Sequence, residues 1–185
     1  MSIFRTIAVL LLLISGVMPG AHADQNDSRL DALFGRLQQT DSPEEAAVIT
    51  REIWGVWTEV EDQGVYVGML QGIEALAVHD LTAALGFFDS VITKRPAFAE
   101  GWNKRATVYY LMGRFDESMR DVETTLNLEP RHFGALSGKG LILMAMGDYV
   151  LAVEAFEHAL EANPHMPDVL MRVRVLKEEL KKSAI

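Results

Sequence analysis

The sequence repeats at a spacing of 34 residues, over residues 65–98, 99–132 and 133–166. The three segments carry the same kind of residue at the same places. The eighth and twentieth places of each segment are small, the seventeenth and twenty-fourth are apolar, and the thirty-second is proline. A chain with this recurrence is expected to fold as a stack of like units, because each unit can bury its apolar face only against its neighbours. In that order of places, the residues are Gly72, Ala106 and Gly140; Ala84, Ser118 and Ala152; Leu81, Phe115 and Tyr149; Phe88, Val122 and Phe156; and Pro96, Pro130 and Pro164.

Each segment has the apolar spacing of two amphipathic helices joined by a tight turn, for which Gly113 is typical in the middle segment. Small residues at places eight and twenty are expected to let the two helices approach closely. Large residues at places seventeen and twenty-four are expected to fill the space between neighbouring segments. The proline then ends the second helix.

The three segments resemble tetratricopeptide (TPR) repeats. The first segment departs most, with Gly68 and Ala75 where the family usually has large residues. The resemblance covers more than half of the chain and implies an all-α, right-handed solenoid of antiparallel helix pairs. The family pattern is carried by Trp102, Ala106 and Tyr109, and by Leu136, Gly140, Leu143, Ala152, Phe156, Ala159 and Pro164.

The segments on either side of the repeats predict further helices. Residues 24–64 predict a helical pair that packs on the array, with one helix over 28–39 and a second over 43–60. Residues 167–185 predict a C-terminal capping helix, whose many charges would give the end of the array a polar outer face.

Two tryptophans lie on the second of these early helices. Trp54 and Trp57 are predicted to fill the flat face that Gly68, Gly72 and Ala75 leave on the first repeat, since large residues pack against small ones. The alternative is that the two tryptophans form an exposed binding site.

The first 23 residues have the composition of a secretory signal peptide. Arg5 supplies the positive charge, residues 7–17 the apolar core, and Ala21-His22-Ala23 the small-residue cleavage pattern. The apolar run is shorter than the roughly 20 residues that a stable membrane span needs. We therefore predict cleavage after Ala23 and a periplasmic or secreted protein; a retained signal anchor is the alternative.

Composition and motifs argue against an enzyme. The chain has 26 acidic and 17 basic side chains, which disfavours nucleic acid as a partner. It has no cysteine, and its five histidines do not fall into H-x-x-x-H or H-E-x-x-H spacing. Neither G-x-S-x-G nor a phosphate-binding glycine loop is present. We predict no catalytic residue, no metal site and no cofactor.

The resemblance implies where a partner would bind. In TPR proteins, places two, five, six, nine, twelve and thirteen of each repeat usually face a concave groove. This groove is largely apolar here, which suits an amphipathic helix or an apolar extended segment of a protein or peptide partner. The predicted groove residues are Tyr66, Met69, Leu70, Ile73, Glu100, Asn103, Lys104, Thr107, Tyr110, Ser137, Leu141, Met144 and Met171.

A carboxylate clamp is disfavoured. TPR modules that clamp a C-terminal carboxylate carry lysine, asparagine and arginine at places two and six. Only Lys104 could serve here, and Glu100 lies one helical turn away to neutralise it. The six places hold Tyr66 and Leu70, Glu100 and Lys104, and Gly134 and Gly138.

The sequence leaves the state of the groove open. It could be free for a partner, or it could be filled in cis by the 28–39 helix or the C-terminal helix. It could also pair with a second copy, giving a homodimer, or seat the protein permanently in an envelope complex.

Overall fold

The computed structural model describes residues 27–183, and this part of the chain is helical, without a strand. Each helix from α3 to α9 packs against the next, so that α3–α4, α5–α6 and α7–α8 form three stacked pairs. The predicted all-α solenoid is confirmed; the predicted signal peptide lies outside the described residues. The helices are α1 Ser28–Gln39, α2 Pro43–Thr58, α3 Gln63–Ala77, α4 Leu81–Lys94, α5 Ala99–Leu111, α6 Phe115–Leu128, α7 Phe133–Met146, α8 Tyr149–Ala162 and α9 Pro167–Ser183.

The turn inside each pair repeats with the sequence. Its central residue has a left-handed backbone in all three pairs: His79 at φ 61°, Gly113 at φ 73° and Gly147 at φ 88°. A Cβ atom disfavours this conformation, which is why glycine suits the position. His79 adopts it despite its side chain, so the first turn is the strained one.

Each helix pair closes by matching a small residue with a large one. A Cβ built at Gly72 would lie 2.5 Å from the ring of Phe88, and one built at Gly140 would lie 2.5 Å from the ring of Phe156. Phe88 and Phe156 hold place twenty-four, which we expected to fill the space between repeats. Phe88 does share a buried cluster with Val108 of the next repeat. The expectation did not include the contact within the repeat, where each ring enters the space left by the missing Cβ of the glycine.

The first two pairs are also joined by an ion triad. On α5, Arg105 Nη1 lies 2.7 Å from Asp89 Oδ1, and its Nε and Nη2 lie 2.7 and 2.8 Å from the two oxygens of Asp121. The hydrogen bond with Asp121 raises the pKa of the Arg105 guanidinium above its ordinary value, and Asp89 adds to this effect. The charged arginine therefore ties α5 to both α4 and α6.

The N-terminal hairpin α1–α2 packs along the edge where one repeat leads into the next. Phe34 and Trp57 share a buried cluster with Phe133, the first residue of α7. At the next junction, Gln38 Nε2 donates hydrogen bonds of 2.7 and 3.1 Å to the carbonyls of Glu161 and Ala162. The hairpin thus bridges the ends of two repeats.

The predicted partners of the two tryptophans are wrong. Cβ atoms built at Gly68 and Gly72 would meet Val91 and Phe88 of α4 at 2.8 and 2.5 Å. The flat face of α3 is therefore already filled by the second helix of its own repeat. The tryptophans pack elsewhere, against the start of α7.

Candidate protein-binding groove

The family resemblance places the first helices of the repeats, α3, α5 and α7, on the concave side of the stack; in the structure α5 contacts α7, and α9 packs on α8. On α3 the side chains of Tyr66, Leu70 and Ile73 are each 43–49% exposed, and on α9 Met171 is 54% exposed. Met69, which the sequence also placed in the groove, is buried in the core of the first repeat. The α3 wall is therefore apolar and open.

The start of α5 carries a buried polar cluster. The carboxylate oxygen Oε2 of Glu100 accepts a hydrogen bond of 2.8 Å from Asn103 and lies 3.1 Å from Nε2 of His132. The other oxygen, Oε1, lies 2.9 Å from the ammonium group of Lys104. Glu100, Asn103 and His132 are all buried, although the sequence placed the first two on the binding surface.

His132 has a defined tautomer. Its Nδ1 accepts a hydrogen bond of 3.0 Å from the backbone N–H of Ala135 and so caps the start of α7. The proton of the neutral ring must then lie on Nε2, which donates to Glu100. The imidazole of His132 therefore connects the N-terminus of α7 with the side chain of Glu100 on α5.

Glu100 is held in its charged form. Burial opposes ionisation, but the hydrogen bond from His132 and the positive charge of Lys104 outweigh it, so the pKa of Glu100 lies below its ordinary value. The charge of Lys104 is consequently matched inside the protein. This is the pairing that the spacing of Glu100 and Lys104 suggested, and it leaves the lysine poorly placed to hold the carboxylate of a partner.

The hairpin covers this cluster with two indole rings. Trp57 stacks on His132 with ring centroids 4.2 Å apart and an angle of 9°, and its Nε1 donates a hydrogen bond of 3.4 Å to Glu129. Trp54 lies over Gly134, where a Cβ would come within 2.8 Å of the indole. The ammonium group of Lys104 is 5.5 Å from the Trp54 ring centroid.

The groove is therefore partly filled in cis. The element that fills it is α2, and not the 28–39 helix or the C-terminal helix, the two candidates from the sequence. Tryptophan is large and rigid enough to seal the polar cluster from water, and Gly134 supplies the space for Trp54.

One helical turn beyond Gly134, the surface between α5 and α7 opens into a pocket of about 80 Å³. A Cβ at Gly138 would have Val122 Cγ2, at 4.0 Å, as its nearest described neighbour outside the helix backbone, so this part of α7 is bare. We call this space the Gly138 pocket. It is lined by Asn103, Ala106, Thr107, Tyr110, Ser118, Val122, Gly134, Gly138, Leu141 and Ile142.

Of the remaining predicted groove residues, Thr107, Tyr110 and Leu141 line this pocket, whereas Ser137 and Met144 do not. Thr107 is exposed, whereas Tyr110, Ser137, Leu141 and Met144 are partly buried. Leu141 and Met144 also pack against the apolar cluster that α8 and α9 form. The structure thus brings the predicted groove residues Thr107, Tyr110 and Leu141 together at the pocket between α5 and α7.

The resemblance places Gly134 and Gly138 on the concave face, at two places that lack clamp residues, but it does not predict a pocket there. The signal for the pocket was present, because two glycines four residues apart on one helix remove two Cβ atoms from the same face. No such signal existed for His132 and Glu100, which meet across a separation of 32 residues.

Two further observations bear on the chemistry of residues 27–183. This range contains no group of three or more histidine, cysteine, aspartate or glutamate side chains placed to hold a metal ion. None of its helices combines the length and the apolar character needed to cross a bilayer.

Known proteins resemble this chain in sequence. Residues 133–166 match the model of the tetratricopeptide repeat family. A TPR repeat-containing protein of Rhizobium etli is 38% identical over 152 residues, which are 82% of this chain and 74% of that protein. A Hsp70-Hsp90 organizing protein of Triticum aestivum is 24% identical over 113 residues, 61% of this chain but only 19% of that protein's length.

Solved structures share the fold. The Sgt2 TPR domain of Aspergillus fumigatus superposes with a TM-score of 0.63 at 22% identity, over 66% of this chain and 83% of that one. The first TPR domain of Spaghetti (RPAP3), bound to the HSP90 peptide SRMEEVD, gives a TM-score of 0.62 at 19% identity, over 66% of this chain and 97% of that one. Together with the Rhizobium relative, the repeat match and the stacked helix pairs, these likenesses show that the chain belongs to the tetratricopeptide repeat family.

Proposed function

We propose that this protein is a non-enzymatic adaptor that binds a protein or peptide segment in the open, apolar half of its concave groove. The observation that carries the proposal is the contrast between the two halves of the groove. The polar half is sealed by Trp54 and Trp57, while Tyr66, Leu70 and Ile73 on α3 stay about half exposed and the Gly138 pocket between α5 and α7 is unfilled.

Peptide binding by similar domains supports this function. The TPR domain of Spaghetti is bound to the peptide SRMEEVD, and the TPR2B domain of yeast Sti1 forms a complex with pHsp70. In the present chain Lys104 is paired with Glu100. The other clamp places on α3 and α7 hold apolar side chains or glycine. We therefore propose an internal apolar segment as the ligand, without a requirement for a free carboxylate.

We also propose that the protein is exported. The support is the signal-peptide pattern of residues 1–23. Intact mass measurement of the protein recovered from the envelope of its native host or a bacterial host should show a chain that starts at Asp24. A chain that keeps residues 1–23 would overturn the cleavage site.

The binding proposal is tested with two charge substitutions on α3. Peptides of sixteen residues, displayed between fixed flanks so that neither end is free, are selected on the mature protein. Leu70→Glu should weaken the selected peptides by about tenfold or more, because a charge must be desolvated on binding. Val78→Glu, at a position 72% exposed beyond the end of α3, is the matched control and should bind like the wild type.

If both variants bind like the wild type, the groove is not the binding site and the proposal fails. Circular dichroism establishes that the two variants are folded.

Self-association is the second candidate function, because the exposed α3 residues could equally meet those of a second copy. Sedimentation velocity distinguishes the two. A dimer that persists on dilution and becomes a monomer in Leu70→Glu would favour a structural, self-associating protein over an adaptor.

A further inference from the structure

We propose that the Gly138 pocket is the anchor site of the groove and receives one aliphatic side chain, of leucine, isoleucine, valine or methionine size, from the partner segment. This inference rests on the proposed function and narrows it to a ligand chemistry and a position. It follows from the continuity of the pocket with the Trp54 contact, from its size and from the state of its polar groups.

The first step is that the pocket adjoins a contact that the protein already makes, between Trp54 and α7. Trp54 rests on α7 where Gly134 lacks a Cβ, so the bare backbone of this helix is used there to receive a large apolar side chain. Gly138 repeats the same feature one turn later on the same face, and Gly134 and Asn103 line the pocket as well. The pocket therefore lies next to the place where Trp54 packs on α7, and no side chain of the described residues fills it.

The second step is size. The pocket measures about 80 Å³. An engineered apolar cavity of about 150 Å³ accepts benzene, so a space about half as large fits an aliphatic side chain better than an aromatic ring. Val122, Leu141 and Ile142 supply apolar contact around it.

The third step concerns three of the four residues with polar side chains that line the pocket, Asn103, Thr107 and Ser118. Thr107 Oγ1 donates a hydrogen bond of 3.0 Å to the carbonyl of Asn103, and Ser118 Oγ donates one of 2.7 Å to the carbonyl of Ala106. The amide of Asn103 donates to Glu100. These three donor groups thus each have an acceptor within the protein, which favours apolar contact with a ligand at this place.

Gly138 itself offers a test that separates binding from folding. Gly138→Ala places a methyl group in open space, so it should occupy part of the pocket and also stabilise α7, since glycine is unfavourable inside a helix. The expected result is a melting temperature raised by about 2–4 °C together with weaker binding. Damage to the fold would not give that combination. Gly138→Leu should fill the pocket more completely.

Gly86→Ala is the matched control. Gly86 lies within α4, away from the pocket. A Cβ built there has no described atom within 4 Å, apart from those of its chain neighbours and of the nearby backbone of α4. This variant should gain similar stability and bind like the wild type.

The probes are the displayed sixteen-residue peptides selected on the wild-type protein. We expect them to share one aliphatic position whose replacement by alanine weakens binding by about tenfold or more, because the loss of even one methylene group from an apolar pocket has an effect of this size. Gly138→Leu should weaken the same peptides by about tenfold or more.

The possible failures are distinguishable. If Leu70→Glu abolishes binding while Gly138→Leu does not, the groove is used and the anchor inference is overturned. If neither substitution matters, the proposed function fails as well. Selected peptides that need an aromatic anchor, or a protein whose dimer is broken by Gly138→Leu, would overturn the aliphatic partner.

Discussion

At the scale of single residues, His132 is the clearest case of a side chain whose role depends on distant neighbours. Its position after a proline suggests a loop residue. In the structure it is fully buried, caps α7 through Nδ1, contacts Glu100 through Nε2 and stacks beneath Trp57. One neutral side chain therefore connects the hairpin with two repeats.

The charge on Glu100 predicts an acid dependence of stability. The folded pKa is lowered, so the unfolded chain takes up this proton first, near pH 4.5, the ordinary value for glutamate. The stabilisation is thus fully present above that pH and is lost as the pH falls through 4.5 towards the folded pKa. Urea unfolding between pH 6.5 and 4 should show a smaller loss of stability for Glu100→Gln than for the wild type.

If the two proteins lose stability in parallel over this range, Glu100 does not carry the charge in the folded state. Glu157→Gln, at an exposed position on α8, controls for the removal of a surface carboxylate.

The strained turn gives a second prediction for a single residue. His79→Gly should raise the free energy of unfolding by about 1 kcal/mol, because the left-handed conformation costs a residue with a Cβ about that much. Thermal or urea unfolding measures the change. Equal or lower stability would mean that the side chain of His79 contributes more than its backbone strain costs.

At the scale of helix pairs, close packing depends on complementary volumes. Glycine faces phenylalanine in the first and third repeats, as with Gly140 and Phe156. In the middle repeat the larger Ala106 shares a buried cluster with the smaller Val122. The total volume at these two places is thus balanced within each repeat.

This balance predicts the outcome of a double-mutant cycle on α7 and α8. Gly140→Ala should cost about 1–3 kcal/mol, because the new Cβ overlaps the ring of Phe156. Adding Phe156→Val reproduces the pair of the middle repeat. The double variant should therefore be more stable than the sum of the two single effects, as measured by urea unfolding. Strict additivity would contradict the proposed contact.

At the scale of the whole molecule, the hairpin is tied to the repeats at several places. Besides the buried aromatic cluster, Arg131 lies 2.7 Å from Asp31 of α1, and His165 lies 3.2 Å from the carbonyl of Leu37. These contacts reach two different repeat junctions, so the hairpin is held along its length.

We therefore predict that the hairpin and the repeats unfold together. In a Trp102→Phe variant the remaining tryptophans, Trp54 and Trp57, both lie in the hairpin, so fluorescence reports on its docking while circular dichroism reports on all helices. The two urea transitions should coincide. A fluorescence transition at lower urea concentration would show that the hairpin detaches first and that the polar half of the groove can open.

The sequence by itself determined the repeat, the helix pairs and the stacking order, because these depend on residue types recurring at a fixed spacing. It also indicated the pairing of Lys104 with Glu100, since the two residues lie one helical turn apart. Such features depend only on residues that are close to one another in the sequence.

Only the tertiary structure decided where the hairpin docks and which half of the groove stays open. The amphipathic face of α2 shows that Trp57 must be buried, but several surfaces could bury it. The choice depended on α4 having already filled the face at Gly72, and on Gly134 and His132 leaving a matching space. Packing excludes overlap among residues far apart in the chain, and that condition is met only once all helices are in place.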